Sequence, residues 1–136
     1  KGHDFKPVAK VASGGELSRV MLCLKTLTAE VLQMPTLIFD EIDTGVSGEV
    51  ASRMGQIMSV MAQSHQLISI THSPQIAAKA QHHYYVYKSD AADRTTSSMK
   101  LLSDEDRLME IAKMLSGEKP GKAAIENAKE LITAQL

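Results

Sequence analysis

Cysteine is almost missing from this sequence of 136 residues, because Cys23 is the only one. This excludes a disulfide framework and a metal site built of several thiolates, and it fits a reducing intracellular compartment. The net charge of -1 gives no overall basis for binding nucleic acid or a membrane surface. Apolar runs long enough to span a membrane are also lacking, and no signal peptide is evident. Length and composition predict one globular domain.

Residues 37–43, Leu-Ile-Phe-Asp-Glu-Ile-Asp, form the most informative segment. The short apolar run predicts a buried strand that ends in two adjacent carboxylates, Asp40 and Glu41. A strand covered on both faces delivers its last residues to the carboxyl edge of a parallel sheet, where open α/β folds bind ligands. The two carboxylates point to opposite sides, so one can hold a cation while the other acts on a water molecule.

Four carboxylates, Asp40, Glu41, Asp43 and Glu49, lie in a stretch without lysine or arginine between positions 36 and 52. Acidic residues after a strand are often helix caps or solubilising loop residues. Four unpaired carboxylates at a buried edge, however, repel one another unless a cation or a basic partner is near. We favour a functional interpretation.

A long amphipathic helix is predicted to begin at Ser13. Ser13 is a good N-cap residue, and Glu16 occupies the capping-box position three residues later. Met34-Pro35 ends the helix. Apolar residues at spacings of three and four predict a stripe that faces the core, namely Leu17, Val20, Met21, Leu24, Leu27 and Val31.

The remaining pattern predicts an α/β fold with a mostly parallel sheet, flanking helices and a β-hairpin near the end of the chain. The strand-helix-strand order over residues 36–70 predicts a βαβ unit, whose parallel strands end at the same edge about 5 Å apart. His72 would then approach Asp40 and Glu41. The other predicted elements are a strand over 8–11, a helix over 74–79, hairpin strands over 84–87 and 98–102 around a polar loop at 89–96, and helices over 104–116 and 122–136.

Two further groups of residues have both a plain and a functional interpretation. Ser13-Gly14-Gly15 at a helix start can bind a phosphate, or it can be a simple cap followed by flexible residues. His72 can be an ordinary surface histidine, or it can contact a ligand phosphate or water. The pair His82-His83 lacks ligands at metal spacing and is expected to be structural.

Four motifs in order resemble those of the ATP-binding-cassette ATPases. Residues 10–19 (Lys-Val-Ala-Ser-Gly-Gly-Glu-Leu-Ser-Arg) resemble the signature motif, and residues 37–41 look like a Walker B strand. Residues 43–48 (Asp-Thr-Gly-Val-Ser-Gly) are similar to the D-loop, and residues 70–77 (Ile-Thr-His-Ser-Pro-Gln-Ile-Ala) to the switch-histidine loop. Together they are most similar to the RecN family of bacterial DNA double-strand-break repair proteins, which is related to SMC proteins.

This resemblance implies roles for three residues within one ATP site. Asp40 would help to coordinate Mg²⁺ through water. Glu41 would position or polarise the attacking water. His72 would contact the γ-phosphate and stabilise the charge that develops there.

The resemblance also implies that a second head is needed. Ser13, Gly14 and Gly15, with Glu16 beside them, would bind the γ-phosphate of ATP held by another copy, so that the composite site forms in a head-to-head homodimer. Asp43 and the loop after it would contact the opposite subunit. The sequence departs from the common cassette signature at Glu16, where glutamine is usual, and its D-loop has the Gly-Val-Ser-Gly form.

The phosphate-binding motif Gly-x-x-x-x-Gly-Lys-Ser/Thr does not occur in the sequence. The resemblance therefore implies that residues 1–136 are the C-terminal lobe of a split P-loop-type head, inactive alone, whose N-terminal lobe with Walker A and coiled coil lie elsewhere. DNA would be a partner of the whole protein, in the cytoplasm at the nucleoid, with no membrane involved. Two alternatives stay open: another SMC-like or transporter ATPase, and a non-catalytic docking module on the same fold.

Overall fold

The computed structural model describes residues 7, 12–46, 48–91 and 94–134 of the chain. They belong to two compact units, one over residues 1–72 and the other over residues 73–136. Helices and strands alternate, so the predicted α/β class is confirmed. The strand expected over residues 8–11 lies outside the described residues, and a single domain over 1–136 stays a prediction. In the described part, no helix combines the length and apolar character that crossing a membrane requires.

The first unit contains a βαβ arrangement preceded by a long helix. Its elements are α1 (Gly14–Leu32), β1 (Thr36–Asp40), α2 (Gly48–Met61) and β2 (Gln66–Ile70). The strands β1 and β2 are parallel neighbours, paired in register from Thr36 opposite Gln66 to Asp40 opposite Ile70. The predicted parallel pair is therefore confirmed, and both strands deliver their last residues to one edge.

Buried side chains of the first unit come from its helices, from one face of β1 and from the turn that follows β1. The ammonium group of Lys25 in α1 lies over the ring of Phe39, 5.2 Å from its centroid, and also donates to the carbonyl of Ile38 at 3.3 Å. These contacts join α1 to β1. The buried apolar residues of this unit are Leu22, Ala29, Leu37, Phe39, Ile42, Ala51, Met54, Met58 and Met61.

The apolar stripe of α1 is exposed, so its assignment to the core was wrong. Val31 is 80% exposed and Leu27 62%, whereas Leu22 and Ala29, between the stripe positions, are buried. The strand pair is also covered on one face only, since Ile38 and Ile70 are more than half exposed. Spacing identifies an apolar helix face, but no described element of this unit covers that face. The exposed stripe residues are Leu17, Val20, Met21, Leu24, Leu27 and Val31.

The second unit combines a β-hairpin with two packed helices. Its elements are α3 (Pro74–Ala77), β3 (Tyr84–Ala91), β4 (Arg94–Leu101), α4 (Asp104–Ser116) and α5 (Lys122–Thr133). The hairpin prediction is confirmed, but the strands reach further than predicted, because Ser89 pairs with Thr96 where a polar loop was expected. The core residues are Ala78, Ile111, Ala112 and Ala128, with Leu108, Leu115, Ile125, Leu131 and Ile132 packed against them.

Arg107 of α4 fixes the chain that follows α3. Its guanidinium donates to the carbonyls of Ala78 and Ala80 at 2.8 and 2.6 Å. His83 is half-buried, and burial lowers the pKa of its imidazole from the ordinary value of 6.5, with a further lowering by the charge of Arg107. The structural role expected for His83 is consistent with this environment, which favours the neutral ring.

The lowered pKa of His83 predicts that stability falls as the solution is acidified. Above pH 6.5 the ring is neutral in both states, whereas below it the unfolded chain binds a proton that the folded chain resists. We therefore expect the melting temperature to fall between about pH 7.5 and about pH 5.5, and less steeply for His83→Gln. The neighbouring exposed residue supplies the control variant, His82→Gln. Equal slopes for all three proteins in thermal unfolding would contradict the assignment.

Candidate acidic site at the sheet edge

The carboxyl ends of β1 and β2 bring the predicted catalytic residues to one edge. Asp40 is paired with Ile70, and the backbone N–H of Glu41 donates to the carbonyl of Ile70 at 2.9 Å, extending the ladder by one bond. His72 follows Ile70 by two residues. The side chains of Asp40, Glu41 and His72 are all exposed. The register thus places two carboxylates and one imidazole at the same solvent-facing edge, which is where open α/β folds bind ligands.

Glu41 has a left-handed backbone conformation, with φ of 47°. This conformation costs a residue with a Cβ atom roughly 1–2 kcal/mol, and such strain is concentrated at functional sites. The turn is closed by Thr44, whose backbone N–H and hydroxyl both donate to the Glu41 carbonyl, at 3.2 and 2.9 Å. The strand therefore ends abruptly at Asp40, and Glu41 leaves it in a fixed direction.

Asp43 is only 2% exposed, unlike the two acids before it. Its Oδ2 atom accepts a hydrogen bond from the hydroxyl of Thr71 at 2.6 Å. Its Oδ1 atom is buried without a hydrogen-bond partner among the described residues. The contact between Asp43 and a second subunit stays a prediction. Within this chain, Asp43 joins the loop after β1 to the loop after β2.

The start of α1 contains the predicted capping box, which is confirmed. The hydroxyl of Ser13 accepts from the backbone N–H of Glu16 at 3.3 Å, and Ser13 donates to the Glu16 carboxylate from its N–H at 2.8 Å and its hydroxyl at 2.9 Å. The pKa of Glu16 is lowered most by the hydrogen bond from the Ser13 backbone N–H. The bond from the Ser13 hydroxyl and the charge of Arg19 lower it further. The hydrogen-bond donors of Ser13 are thus already bonded to a carboxylate, and a phosphate would have to displace that carboxylate to accept from them.

Gly14 and Gly15 have different surroundings despite being adjacent. A Cβ atom on Gly14 would meet nothing within 4 Å, whereas one on Gly15 would lie 2.7 Å from the carbonyl oxygen of Gly45. Gly15 is therefore a position where two backbones approach closely. Gly14 is open to solvent, as a ligand contact requires. The phosphate contacts of Ser13, Gly14, Gly15 and Glu16 stay predictions.

Sequence reasoning missed some features of this region. Glu49 was counted among unpaired acids, but it accepts from Arg53 at 2.7 Å, one helical turn on, outside the stretch that was considered. Thr71 was not singled out, although a hydroxyl residue beside a candidate histidine is a usable signal.

A shallow cleft near Pro35 and His65 lies at the opposite, amino ends of the strands and is remote from the acidic edge.

The donors at the edge fit Mg²⁺ held together with a nucleotide. Mg²⁺ keeps several waters and is usually bound through one or two carboxylates and phosphate oxygens, which suits a single exposed carboxylate such as Asp40. No cluster of three His, Cys, Asp or Glu residues at metal-binding distance exists within the described ranges. The edge can therefore complete a metal-nucleotide site but does not form a metal cage.

Comparison of sequences relates the chain to known proteins over almost its whole length, although no protein-family model matches it. It is 41% identical over 133 residues to the DNA repair protein RecN of Vibrio cholerae, covering 98% of the chain and 24% of that protein. For the RecN proteins of Halalkalibacterium halodurans and Deinococcus radiodurans the identities are 43% and 44% over 131 residues, or 96% of the chain and 23% of each protein.

Comparison of structures gives a consistent result. The chain is similar to a solved chain from work on ATP-driven dimerization and DNA-stimulated activation of SMC ATPases, with a TM-score of 0.63 and 24% identity. The match covers 88% of this chain and 70% of that chain. At this identity the likeness establishes the fold alone, an α/β architecture that the chain shares with that solved chain.

The chain spans about one quarter of the length of the curated relatives that it matches, in their C-terminal part. Over that quarter, these matches identify it as a member of the RecN family.

Proposed function

We propose that this chain is the C-terminal lobe of the ATP-hydrolysing head of a RecN-type DNA-repair protein. The observation that carries the proposal is the parallel register that pairs Asp40 with Ile70, with the Glu41 N–H bonded to the Ile70 carbonyl. This register gives Asp40, Glu41 and His72 a common edge. The names of the sequence relatives and of the structural neighbour support ATP and DNA repair as the context.

The three edge residues divide the chemistry of phosphoryl transfer between them. Asp40 would hold Mg²⁺ through water, and the ion would offset negative charge on the nucleotide phosphates. Glu41, fixed in direction by its strained turn, orients and polarises the attacking water. His72 donates a hydrogen bond to the γ-phosphate, where negative charge is redistributed in the transition state.

The start of α1 serves the site of a second head. Gly14 is open, and the helix dipole favours an anion at this end. The γ-phosphate would displace the Glu16 carboxylate and accept the hydrogen bonds that the N–H and hydroxyl of Ser13 now donate to it. Because the Glu16 carboxylate is already hydrogen-bonded to Ser13, a phosphate from the second head would have to compete with it.

The N-terminal lobe with Walker A is the proposed cover of the exposed apolar surface of the first unit. Val31, Leu27 and Ile38 are 80%, 62% and 56% exposed, and a surface with several exposed apolar side chains is a common mark of an interaction site. Relatives are about four times as long as the matched stretch, so they contain the additional sequence that could cover this surface. The chain's net charge of -1 does not favour DNA, so we assign DNA binding to the whole protein. The proposed location of that protein is the cytoplasm, at the nucleoid.

The proposal predicts that residues 1–136 alone do not hydrolyse ATP, because a lobe without Gly-x-x-x-x-Gly-Lys-Ser/Thr cannot cradle the α- and β-phosphates. A full-length RecN-type protein carrying this chain should show Mg²⁺-dependent turnover, and the lone chain should not exceed the background. Release of phosphate at equal molar concentration is the measurement. A lone chain as active as the full-length protein would overturn the two-lobe arrangement, and an inactive full-length protein would favour a docking module.

A further inference from the structure

The hydrogen bond between Thr71 and Asp43 links the two loops that leave the acidic edge. The Thr71 hydroxyl lies 2.6 Å from Oδ2 of Asp43, a distance typical of a strong hydroxyl-carboxylate bond. Asp43 is 2% exposed and Thr71 half-buried, so water competes little for this bond. The bond is therefore a persistent contact between the loop after β1 and the loop after β2.

Each partner of this bond lies within two residues of a residue of the proposed chemistry. Thr71 directly precedes His72, so fixing its side chain restricts the backbone from which the imidazole extends. Asp43 follows Glu41 by two residues, in a turn closed by bonds from Thr44 to the Glu41 carbonyl and from the Val46 N–H to the Asp43 carbonyl. The exposed His72 side chain depends on such backbone contacts for its position.

The second oxygen of Asp43 indicates that this carboxylate is not ordinary core filling. Its Oδ1 atom is buried and has no hydrogen-bond partner in the part of the chain that the structure describes. Buried polar atoms in native proteins are nearly always paired, and exceptions are often functional.

We propose that Thr71 is a positioning residue for ATP hydrolysis, whose hydroxyl, held by Asp43, keeps the His72 loop in register with the Glu41 turn. Thr71 does not touch the reacting atoms, and it acts through His72. This inference rests on the proposed function of the acidic edge. It predicts an effect on the chemical step and none on nucleotide affinity.

The test is Thr71→Val in the full-length protein, which removes the hydroxyl and keeps the side-chain shape. We expect kcat to fall about 10-fold with KM unchanged and ATP-dependent head pairing retained, because small misplacements of catalytic groups have effects of at least this size. Thr71→Ser, which restores a hydroxyl, should recover most of kcat. The matched control is Thr36→Val, which removes a hydroxyl bonded to Gln66 at 3.0 Å at the opposite end of the strands.

Thr71→Ala is a second variant without the hydroxyl, for use if the valine variant does not fold. Unlike valine, alanine places no additional methyl group beside the Asp43 carboxylate. The inference is overturned if a folded Thr71→Val or Thr71→Ala variant hydrolyses ATP at the rate of Thr36→Val. It is also overturned if Thr71→Ser is as slow as these two variants, or if the change appears in KM or in head pairing. Glu41→Gln is measured in parallel. If it leaves turnover unchanged the proposed function itself fails, whereas a slow Glu41→Gln with a normal Thr71→Val removes only the role of Thr71.

Discussion

Glu41→Gln in the full-length protein is expected to slow ATP turnover by about 10²- to 10⁴-fold, the range associated with a positioned general base. Glutamine has nearly the same shape as glutamate, but its neutral amide cannot polarise water in the same way. The backbone strain at φ of 47° is the same for both residues, so the turn should be preserved. ATP-bound pairs of heads should therefore persist and accumulate.

Glu49→Gln is the matched control for the loss of one negative charge. Glu49 is exposed at the start of α2 and paired with Arg53, eight positions beyond Glu41. Phosphate release measures turnover, and chemical crosslinking with ATP present measures pairing. Full turnover in Glu41→Gln would exclude catalysis at this edge and would favour the docking module. Loss of pairing along with turnover would indicate a structural role for Glu41.

The strand pair and its edge were predictable because they depend on local patterns. A short apolar run followed by Asp40 and Glu41 predicts a strand end, and the βαβ order makes the neighbouring strand parallel. These two facts place both strand ends at the same edge, and the structure adds the register that pairs Asp40 with Ile70. The capping box of Ser13 and Glu16 was predictable for the same reason, since its bonds span three residues.

The burial or exposure of the apolar face of α1 could not be predicted from the spacing of its apolar residues. Apolar residues at intervals of three and four identify one face of a helix, but the solvent exposure of that face depends on what packs against it. In this unit the face with Leu22, Thr26 and Ala29 is the inner one, as the 3.2 Å contact of the Thr26 hydroxyl with the Met61 sulfur shows.

The hairpin strands were underestimated because their outer halves are polar. Residues 89–96 lack the apolar alternation that marks a half-buried strand, yet Ser89 and Thr96 are paired. Backbone hydrogen bonds extend a two-stranded ladder without any burial of side chains, so composition alone marks such a segment as a loop. The contact between Asp43 and Thr71, 28 positions apart, was likewise outside what a linear pattern contains.

Gly15→Ala is the second variant with a large expected effect. Its new methyl group would lie 2.7 Å from the carbonyl oxygen of Gly45, a backbone atom that cannot rotate away. Overpacking of this kind costs about 1–3 kcal/mol. Amide exchange in the first turn of α1 should therefore accelerate by roughly 5- to 150-fold in the full-length protein, and ATP-dependent pairing should weaken as the helix start shifts.

Gly14→Ala separates packing from phosphate binding, because its methyl group meets nothing within 4 Å. Helix propensity favours alanine over glycine, so exchange in the same turn should stay equal or slow down. A methyl group on this open surface should nevertheless hinder the approach of a γ-phosphate from the second head. We therefore expect Gly14→Ala to keep its stability and lose pairing, whereas Gly15→Ala loses both. Normal pairing in Gly14→Ala would leave only the packing role of Gly15 and would remove the contact proposed for the second head.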